Sequence, residues 1–386
     1  MRSSVIYCLG SSSLSQSSPM LKQLSLRLAA NPSIRRWRAD RADRKLARSL
    51  DPNAFGLHWQ PGPRCPQNAV EGNRALIGPL LFVTGGYVND CATLSRHLYR
   101  LDMRTDIWTD LGEIPQTMPE THNAVVSDRE RYFFSISGQK GAHCSPAVPD
   151  CFVYDTKAGS WDQLPPLPEP RYMPMADYHA GRIYILGGSL PDRCSPAFDC
   201  WSLGVREGRA DDEGWRRERP LPESRTHTPC LIQNGKALIF GGQTGDVPPV
   251  PGSAEYFCDF ESPNDTFFDT VFSFDLATGS RINLAPMPLK VSHTEYTLLH
   301  IGRHVVIAGG TLQRTVTSDG IMSYDLERDS WKIIGRLPYP MKKTVTAYHD
   351  GWLYVATGQR AMGLNDPRPG EVIDSTWKTP IPPGLL

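Results

Sequence analysis

LLFVTGG (residues 80–86) is the first of six short apolar segments that end in a glycine, and these segments predict the fold of this 386-residue chain. The other five are FFSISGQ (133–139), RIYILGG (182–188), ALIFGG (237–242), HVVIAGG (304–310) and LYVATGQ (353–359). The intervals between their first glycines are 53, 49, 54, 68 and 49 residues. A recurrence near 50 residues indicates one supersecondary unit that is repeated six times along the chain.

A second recurring feature lies downstream of most of these segments: an aspartate followed six residues later by a tryptophan. The pairs are Asp102 and Trp108, Asp155 and Trp161, and Asp325 and Trp331. Linkers that contain proline come next, with the sequences LGEIP, LPPLP, PLP, APMP and GRLP. The apolar runs fit buried strands, and the tryptophans supply large buried area between neighbouring units. Units of this length with four strands each are typical of a β-propeller, here all-β with six blades.

Two units depart from the pattern. The fourth has Phe274 and Asp275, but Arg281 stands where the tryptophan is expected. The third carries the insertion CWSLGVREGRADDEGW (200–215), and we expect Trp215 to take the tryptophan's role after it. Six units in phase nevertheless favour a propeller over an ordinary sandwich of short strands.

The ends of the repeat predict how the ring closes. The sixth unit has no tryptophan-to-proline strand after LYVATGQ, whereas Trp59 and Pro61 precede the first unit in the sequence LHWQPGP. We therefore expect this N-terminal segment to complete the last blade, which removes exposed sheet edges. The predicted division is a basic extension over 1–55, the propeller over 56–380 and a tail over 381–386.

Composition agrees with this fold and excludes several classes of partner. The 33 Gly and 34 Pro residues disfavour long helices, and 40% hydrophobic residues supply a core. The 41 Lys and Arg balance 41 Asp and Glu, so no net charge favours nucleic acid. No stretch reaches the roughly 18 apolar residues of a membrane span. We expect no nucleic-acid partner, no transmembrane segment and a monomer.

Several phrases resemble the kelch-repeat proteins of the galactose oxidase/kelch superfamily, and most closely an uncharacterised plant group within it. They are ISGQKGAHC (136–144), LPPLPEPRYMP (164–174), GGQTGDVPPVPGS (241–253), IGRLPYPMKKT (334–344) and GQRAMGLNDPRPGEVIDSTWKT (358–379). The similarity covers about residues 57–378. It implies a six-bladed propeller and a location in the lumen of the secretory pathway, and it carries no settled activity.

The sequence does not match the catalytic motifs of the enzymes in this superfamily. Copper radical oxidases need two Tyr, two His and a Cys cross-linked to one Tyr, but the ten His here are scattered singly. No motif matches the catalytic pair of the kelch sialic-acid epimerases. We also expect neither a BTB nor an F-box domain in the about 55 residues before the propeller. Cofactors, catalytic residues and metal ligands are not predicted.

A set of basic residues suggests a binding site at one mouth of the propeller. Five of the six positions that lie sixteen residues before the first glycine of each segment carry a cationic or titratable group; they are His122, Arg171, Arg225, His293 and Lys342, and Ala69 interrupts the series. Inner strands surround the central channel, so these side chains are expected to converge and attract a carboxylate, phosphate, sulfate or acidic peptide.

Neighbouring residues extend this predicted ligand-binding set. They are Tyr172, His227, Glu295 and Lys343. The alternative is that the basic residues cap blade interfaces by binding carbonyls and acidic neighbours. Loops that follow the glycine pairs share this mouth, and the longest of them, QTGDVPPVPGSAEYFCDFESPNDTFFD (243–269), is rich in acidic and aromatic residues.

Nine cysteines leave the redox compartment open. Cys144 and Cys151 in the second unit, and Cys194 and Cys200 in the third, lie at equivalent loop positions and are candidate disulfide pairs. Reduced thiols and a zinc site shared by two loops are the alternatives.

Signals for the cellular location disagree with one another. Asn264 begins one glycosylation sequon, which together with the paired cysteines and the family favours a Golgi-like secretory lumen. Residues 1–50, however, contain ten Lys and Arg against two Asp, a composition that resembles an organellar transit peptide. A disordered tail is the third interpretation of this extension.

We expect a binding or interaction protein that presents a basic, loop-rich mouth to an acidic, peptide or glycan ligand. The alternative is a propeller enzyme that acts on a sugar or small acid, as an epimerase or lyase does. The sequence favours the binding protein, because it shows no phosphate-binding loop, nucleophile elbow or metal cluster.

Overall fold

The computed structural model describes residues 54–88, 93–141, 145–245, 267–313, 316–363 and 366–386. These residues form an all-β structure with 31 strands and one short 3-10 helix at Ala54–Gly56. None of the helical structure in these ranges is long and apolar enough to cross a membrane. The all-β prediction from the repeat is confirmed.

The strands follow the predicted repeat. In chain order they are β1 (Gln60–Pro61), β2 (Asn73–Ile77), β3 (Leu80–Thr84), β4 (Tyr87–Val88), β5 (Thr93–Leu94), β6 (His97–Asp102), β7 (Ile107–Glu113), β8 (Ala124–Ser127), β9 (Tyr132–Gln139), β10 (Ala147–Asp155), β11 (Ser160–Leu164), β12 (Met175–His179), β13 (Arg182–Leu186), β14 (Cys200–Arg206), β15 (Arg209–Glu218), β16 (Cys230–Gln233), β17 (Lys236–Phe240), β18 (Val271–Asp275), β19 (Arg281–Leu284), β20 (Leu299–Ile301), β21 (His304–Ala308), β22 (Thr311–Gln313), β23 (Val316–Thr317), β24 (Gly320–Asp325), β25 (Ser330–Arg336), β26 (Met341–Lys342), β27 (Val345–His349), β28 (Trp352–Ala356), β29 (Gln359–Gly363), β30 (Asp366–Val372) and β31 (Thr376–Pro380).

Across the described ranges the long strands assemble into six four-stranded antiparallel sheets, which we number as blades I to VI. Their orders are β2-β3-β6-β7, β8-β9-β10-β11, β12-β13-β14-β15, β16-β17-β18-β19, β20-β21-β24-β25 and β27-β28-β31-β1. The first strands of neighbouring blades lie side by side: β8 contacts β2 and β12, and β27 contacts β2 and β20. These inner strands surround a central channel, as in a β-propeller.

The ring closes as the sequence predicts. Strand β1 pairs antiparallel with β31, with Gln60 opposite Lys378 and Pro61 opposite Trp377, so the N-terminal segment becomes the outer strand of blade VI. Leu57 is buried in the same apolar cluster as Trp377. Residues at the far C-terminus also take part, because Ile381, Leu385 and Leu386 pack half-buried against that cluster. The terminal segments are therefore parts of the last blade.

Tryptophans at the outer strands of blades I, III, V and VI connect these blades to the linkers that precede them. The indole Nε1 of Trp108 donates to Pro63 O at 3.1 Å, that of Trp331 to Ala285 O at 2.9 Å, and that of Trp59 to Arg336 O at 2.8 Å. Trp215 donates to Pro165 O at 2.9 Å, which confirms its predicted role after the insertion.

Blade IV keeps this connection although it lacks the tryptophan. Arg281 stands opposite Phe274, as a tryptophan stands opposite an aromatic residue in other blades. Its Nη1 donates to Glu223 Oε2 in the preceding linker at 2.8 Å, and its guanidinium lies 4.3 Å from the centre of the Phe272 ring. A salt bridge and a cation–π contact therefore replace the indole hydrogen bond.

The glycine pairs bring the second strand of each blade against the start of its inner strand. A Cβ atom added to Gly310 would lie 2.5 Å from Ser292 O, a distance that no side chain tolerates. The loops that follow the glycine pairs emerge on this side of the ring, which we call the glycine-loop face. The turns between the first and second strands of the blades, such as the one at Gly78, form the opposite side, which we call the hairpin face.

Candidate functional site

Six equivalent positions surround the mouth of the channel on the glycine-loop face. In each blade the residue after the glycine pair bridges to a residue just before the inner strand: Tyr87 to Val70, Gln139 to Thr121, Ser189 to Tyr172, Gln243 to Thr226, Thr311 to Ser292 and Gln359 to Lys342. The next residues along the chain are Glu71, His122, Met173, His227, His293 and Lys343. All six have positive φ between 44° and 64°. These six positions are the ring that symmetry defines.

The predicted basic set does not occupy equivalent positions. The predicted series is counted sixteen residues back from the first glycine of each segment, and it takes Gly138 and Gly358 as the first residues of their glycine pairs. In the structure Ser137 and Thr357 fill the first position, with φ of 51° and 54°. His122 and His293 are ring residues, Lys342 lies one residue earlier, and Arg171 and Arg225 lie two residues earlier. The five residues of the predicted series therefore occupy three different structural positions.

Arg171 and Arg225 brace their own blades. The Arg171 guanidinium donates to Glu169 Oε2 at 2.5 Å and lies 3.7 Å from Asp199. The Arg225 Nη2 donates to Thr270 Oγ1 at 2.6 Å and pairs with Glu223 at 2.9 Å. Both side chains are 0% exposed. They fit the alternative in which basic residues bind neighbouring carbonyls and acids.

Four of the other predicted residues lie together around Lys343: His122, His227, Glu295 and Lys343 itself. Its Nζ lies 2.7 Å from Glu71 Oε2 and 2.6 Å from Glu295 Oε1, and 2.8 Å from Nδ1 of His227. His227 Nδ1 is itself 2.6 Å from Glu295 Oε1. His122 Nε2 lies 2.9 Å from Glu71 Oε2. These five residues come from blades I, II, IV, V and VI, and we call them the mouth cluster.

Electrostatics keep the mouth cluster charged and mutually neutralised. Burial would raise the pKa of both carboxyls, but the Lys343 ammonium holds the pKa of Glu71 well below its usual range and lowers that of Glu295 to about 2. Burial likewise disfavours the charged form of Lys343, yet the two carboxylates raise its pKa. The lysine therefore stays positive and the glutamates negative at neutral pH.

His122 lies beside the charged groups but stays neutral. Burial lowers the pKa of the His122 imidazole to about 4, against the opposing effect of Glu71. A neutral ring with its proton on Nε2 donates to the Glu71 carboxylate. The ring also stacks on Tyr172, with 4.2 Å between ring centres. Burial lowers the pKa of His293 as well, and His293 stacks on His227 at 4.3 Å.

Tyr172 connects the mouth cluster to Arg193 in the loop of blade III. The Arg193 guanidinium lies 4.1 Å from the centre of the Tyr172 ring and donates through Nη2 to the Tyr172 hydroxyl. Its Nη1 donates to Gln139 Oε1 at 3.1 Å. Gln139 in turn donates to the Tyr87 hydroxyl at 2.7 Å. Loops from blades I, II and III are thereby joined above the channel mouth.

The mouth cluster is closed, which limits what chemistry it supports. The side chains of His227, Lys343 and Glu295 are 2%, 3% and 7% exposed. Lys343 fills the space between the two carboxylates, and no group of metal-binding residues occurs among those that the structure describes. A general acid or base needs direct access to substrate. This arrangement is suited instead to holding five blades together at the mouth.

Two residues of this region were not identified from the sequence, Glu71 in the mouth cluster and Arg193 in the loop of blade III. A count of fifteen residues back from the second glycine of each pair reaches Glu71, Met173, His227 and Lys343, so the second glycine is the better reference. Blades II and V differ from this count by one and two residues, so no single count reaches all six ring positions. Arg193 lies within an irregular loop and no spacing identifies it.

The predicted Cys194–Cys200 disulfide is not formed. Cys200 begins β14 and has a free, buried thiol whose Sγ lies 3.7 Å from Phe198 O. Cys194 lies in the preceding loop, with its Sγ 3.1 Å from Asp192 O. The strand holds Cys200 in the blade core, because its neighbours in β14 pair with β13, and so it is directed away from the loop.

The second predicted disulfide, Cys144–Cys151, falls partly outside the described residues, because Cys144 is not among them. Cys151 is a free thiol buried within blade II, and burial raises its pKa to about 12. The predicted glycosylation site Asn264 and residues 1–53 of the predicted basic extension (1–55) also lie outside the described residues, as does most of the long loop of blade IV.

Comparison with known proteins gives a consistent set of relatives. No family model matches the chain. A kelch repeat-containing protein of Arabidopsis thaliana is 34% identical over 331 residues, which are 84% of this chain and 76% of that protein. The kelch-like protein terF of Aspergillus terreus is 23% identical over 321 residues, 78% of this chain and 64% of that protein.

More distant similarity shows the same repeat. The human kelch repeat and BTB domain-containing protein 13 is 32% identical over 172 residues, but these are only 43% of this chain and 33% of that protein. Among solved structures, that of YjhT superimposes with a TM-score of 0.60 over 81% of this chain and 95% of its own, at 15% sequence identity. At that identity the superposition supports the fold alone.

Proposed function

The chain belongs to the kelch-repeat family, and we infer that it is a binding propeller whose partner docks on the glycine-loop face. Propellers of one fold have many functions, so the inference depends on the site and not on the fold. The observation that carries it is the braced ring at the channel mouth, from which the loops of all six blades emerge.

A rigid base for variable loops is the usual design of a binding surface. The mouth cluster and the chain of contacts through Tyr172, Arg193 and Gln139 fix the loop bases of neighbouring blades. Six non-glycine residues are held there in the left-handed region, which costs roughly 1 kcal/mol or more for each. Non-glycine residues with positive φ also occur in four turns of the hairpin face (Arg129, Ala180, Asn234 and Asp350), but only this mouth has one at the same position of every blade, which supports a functional role for it.

Partner chemistry follows from what the face exposes. Cationic side chains on the described rim are largely neutralised, since Arg96 pairs with Glu120, Arg217 with Asp199 and Arg360 with Glu371. A strongly acidic ligand or an acidic glycan is therefore less suited to this face than the sequence suggested. The same loops expose Phe198 and Met362, at 44% and 42%. We propose a peptide segment of a partner protein, with apolar and polar residues together.

Site-specific photocrosslinking tests this proposal. A photoreactive amino acid replaces Phe198 or Met362 on the glycine-loop face in the full-length chain expressed in its native cells. Matched control positions are Ile107 and Ile282, which are 58% and 56% exposed on outer strands. We expect one discrete crosslinked protein from the loop positions and none from the control positions. Equal crosslinking from both sets would contradict the proposed face.

A further inference from the structure

The central channel contains a cavity of about 330 Å³ between the inner strands. Glu295 of the mouth cluster lies at one end of its lining, and Gly78, Arg129 and His300 lie at the other. Arg129 has a side chain that is 61% exposed, and His300 is exposed as well. The cavity therefore opens on the hairpin face, away from the proposed partner surface, and its volume suits a small molecule.

Arg74 is the cation that lines this cavity in its interior. It lies on β2 in blade I and is half-buried as a whole residue, but the Nε of its guanidinium is fully buried and has no hydrogen-bond partner within the described part of the chain. Its Nη1 donates to Thr346 O at 3.0 Å in blade VI, and its Nη2 donates to Leu298 O at 3.1 Å in blade V. The guanidinium thus reaches across the channel and is held in position by neutral carbonyl oxygens.

No acid among the described residues compensates the charge of Arg74. Two carboxylates line the described part of the cavity, Asp177 and Glu295. Glu295 is bound to Lys343 and His227. Asp177 accepts the backbone N–H of Ile232 at 2.7 Å and that of Tyr178 at 2.8 Å.

Arg74 keeps its charge although its hydrogen-bond partners are neutral. Burial lowers the pKa of Arg74 to about 10, which still leaves it positive at neutral pH. A buried charge without a counterion is costly, and proteins normally pair it or use it to bind a ligand of opposite charge. Arg171, Arg225 and Lys343, three cations that are more deeply buried than Arg74, each have an acidic partner.

We propose that the channel binds a small oxyanion, entering from the hairpin face, whose carboxylate or phosphoryl oxygens contact the Arg74 guanidinium. Arginine suits this role because its guanidinium carries five N–H donors, of which the bonds to Thr346 O, Thr346 Oγ1 and Leu298 O use at most three. The carbonyls of Thr346 and Leu298 hold the fork in place, so little side-chain entropy is lost on binding. This site is separate from the glycine-loop face, and either proposal can fail without the other.

Titration with two probes identifies the oxyanion. Lactate represents carboxylates and is followed by its proton NMR signals, while inorganic phosphate represents phosphoryl groups and is followed by calorimetry. Propane-1,2-diol is the neutral analogue of lactate, and sodium chloride controls for ionic strength. We expect saturable binding of lactate or phosphate to the full-length chain, and the tighter probe names the class. Absence of saturable binding by both probes would overturn the proposal.

Variants of Arg74 locate the binding site. Arg74→Gln removes the charge and should weaken binding of the effective probe by about tenfold or more. Arg74→Lys keeps the charge but loses the fork, and should weaken binding several-fold. The control Arg104→Gln makes the same change in net charge at a side chain that is 60% exposed on a hairpin, and should leave binding unchanged.

Two results contradict the assignment to Arg74. One is wild-type affinity in a folded Arg74→Gln protein, as judged by circular dichroism. If that variant does not fold, Arg74→Lys decides the matter, because wild-type affinity in the lysine variant would show that the guanidinium fork is not the receptor. Equal loss of affinity in Arg104→Gln would indicate a nonspecific charge effect and would likewise overturn the site.

Discussion

Lys343 and Arg74 are two buried cations on the same channel, and their surroundings differ. Both connect blades I, V and VI: Lys343 in blade VI binds Glu71 and Glu295, and Arg74 in blade I binds Thr346 and Leu298. Lys343 is enclosed by two carboxylates, whereas Arg74 contacts carbonyl oxygens and faces a cavity. The mouth is therefore closed and charge-compensated, and the interior of the channel is open and uncompensated.

This difference separates a structural charge from a binding charge. A buried ion pair that is fully partnered contributes to holding a particular arrangement, and loss of one partner is very unfavourable. A buried cation with neutral partners is unfavourable as it stands, so its removal costs little and its natural complement is an anion. The mouth cluster accordingly braces the loops of the partner-binding face, while Arg74 equips the channel for a small ligand.

The largest effect should come from opening the ring on which both cations depend. Deleting residues 1–66 removes Leu57, the Trp59 hydrogen bond and strand β1 from blade VI. Loss of the buried Leu57 side chain alone costs about 2–5 kcal/mol. We expect loss of the cooperative unfolding transition, measured by circular dichroism during heating.

Deleting residues 1–50 is the matched control for the ring-opening truncation. It retains Leu57, Trp59 and β1, and we expect it to keep the wild-type melting temperature. If both truncated chains melt alike, β1 does not close the ring energetically, and the comparison of two cations at the closing blades loses its basis.

Replacing Lys343 by Met should produce the next largest effect. The substitution leaves the carboxylates of Glu71 and Glu295 buried without their counterion, which should reduce the free energy of unfolding by about 3–5 kcal/mol in urea. Adding Glu71→Gln and Glu295→Gln removes the unpaired charges and should restore part of the loss. A triple variant as unstable as Lys343→Met would show that packing, and not charge, accounts for the effect.

The blade architecture could be predicted from the sequence because its signals are local and periodic. Apolar strands that end in glycine repeat in all six units, and a tryptophan six residues after an aspartate repeats in three of them. The role of Trp215 could also be predicted, because it follows an insertion that forms an ordinary hairpin. Ring closure by the segment around Trp59 could be predicted because the last unit lacks an outer strand, which the N-terminal segment supplies.

The site was harder to predict because the number of residues between each ring position and its glycine pair varies from blade to blade. His122 and His293 lie sixteen and seventeen residues before the second glycine of their pairs, whereas His227 and Lys343 lie fifteen residues before theirs. One or two residues of difference in a loop therefore move a side chain between the mouth cluster and a blade interface. The compensation of Lys343 by Glu71 joins residues 272 positions apart, and no short-range pattern reveals such a pair.

Acidification should weaken the mouth before it affects the channel. The unfolded chain protonates His122 near pH 6.5, but the folded chain does so only near pH 4. Between these values the unfolded state binds more protons, so stability falls as pH falls, by up to about 1.4 kcal/mol for each pH unit. Below about pH 4.5 the depressed pKa values of Glu71 and Glu295 add a further loss in the same direction.

Urea unfolding between pH 3 and pH 8 measures this dependence. His122→Gln should flatten the curve between pH 6.5 and pH 4 relative to the wild type, and Glu295→Gln should flatten it below that range. Arg74→Met is the control, because Arg74 stays charged throughout and its removal should shift the curve without changing its shape. Identical slopes in all four proteins would contradict the charge states assigned to the mouth cluster.

The smallest stability effect should come from Arg74→Met in the absence of ligand. Removing the guanidinium sacrifices hydrogen bonds to Thr346 and Leu298 but also removes an uncompensated buried charge, so the two contributions oppose each other. We expect a loss of about 1 kcal/mol or less in urea unfolding, well below that of Lys343→Met. A loss as large as that of Lys343→Met would make Arg74 a structural brace and remove the contrast.

Bound ligand should stabilise the wild type but not Arg74→Met. With the effective oxyanion at ten times its Kd, only the wild type should gain about 1.4 kcal/mol in its free energy of unfolding, because the ligand binds its folded state alone.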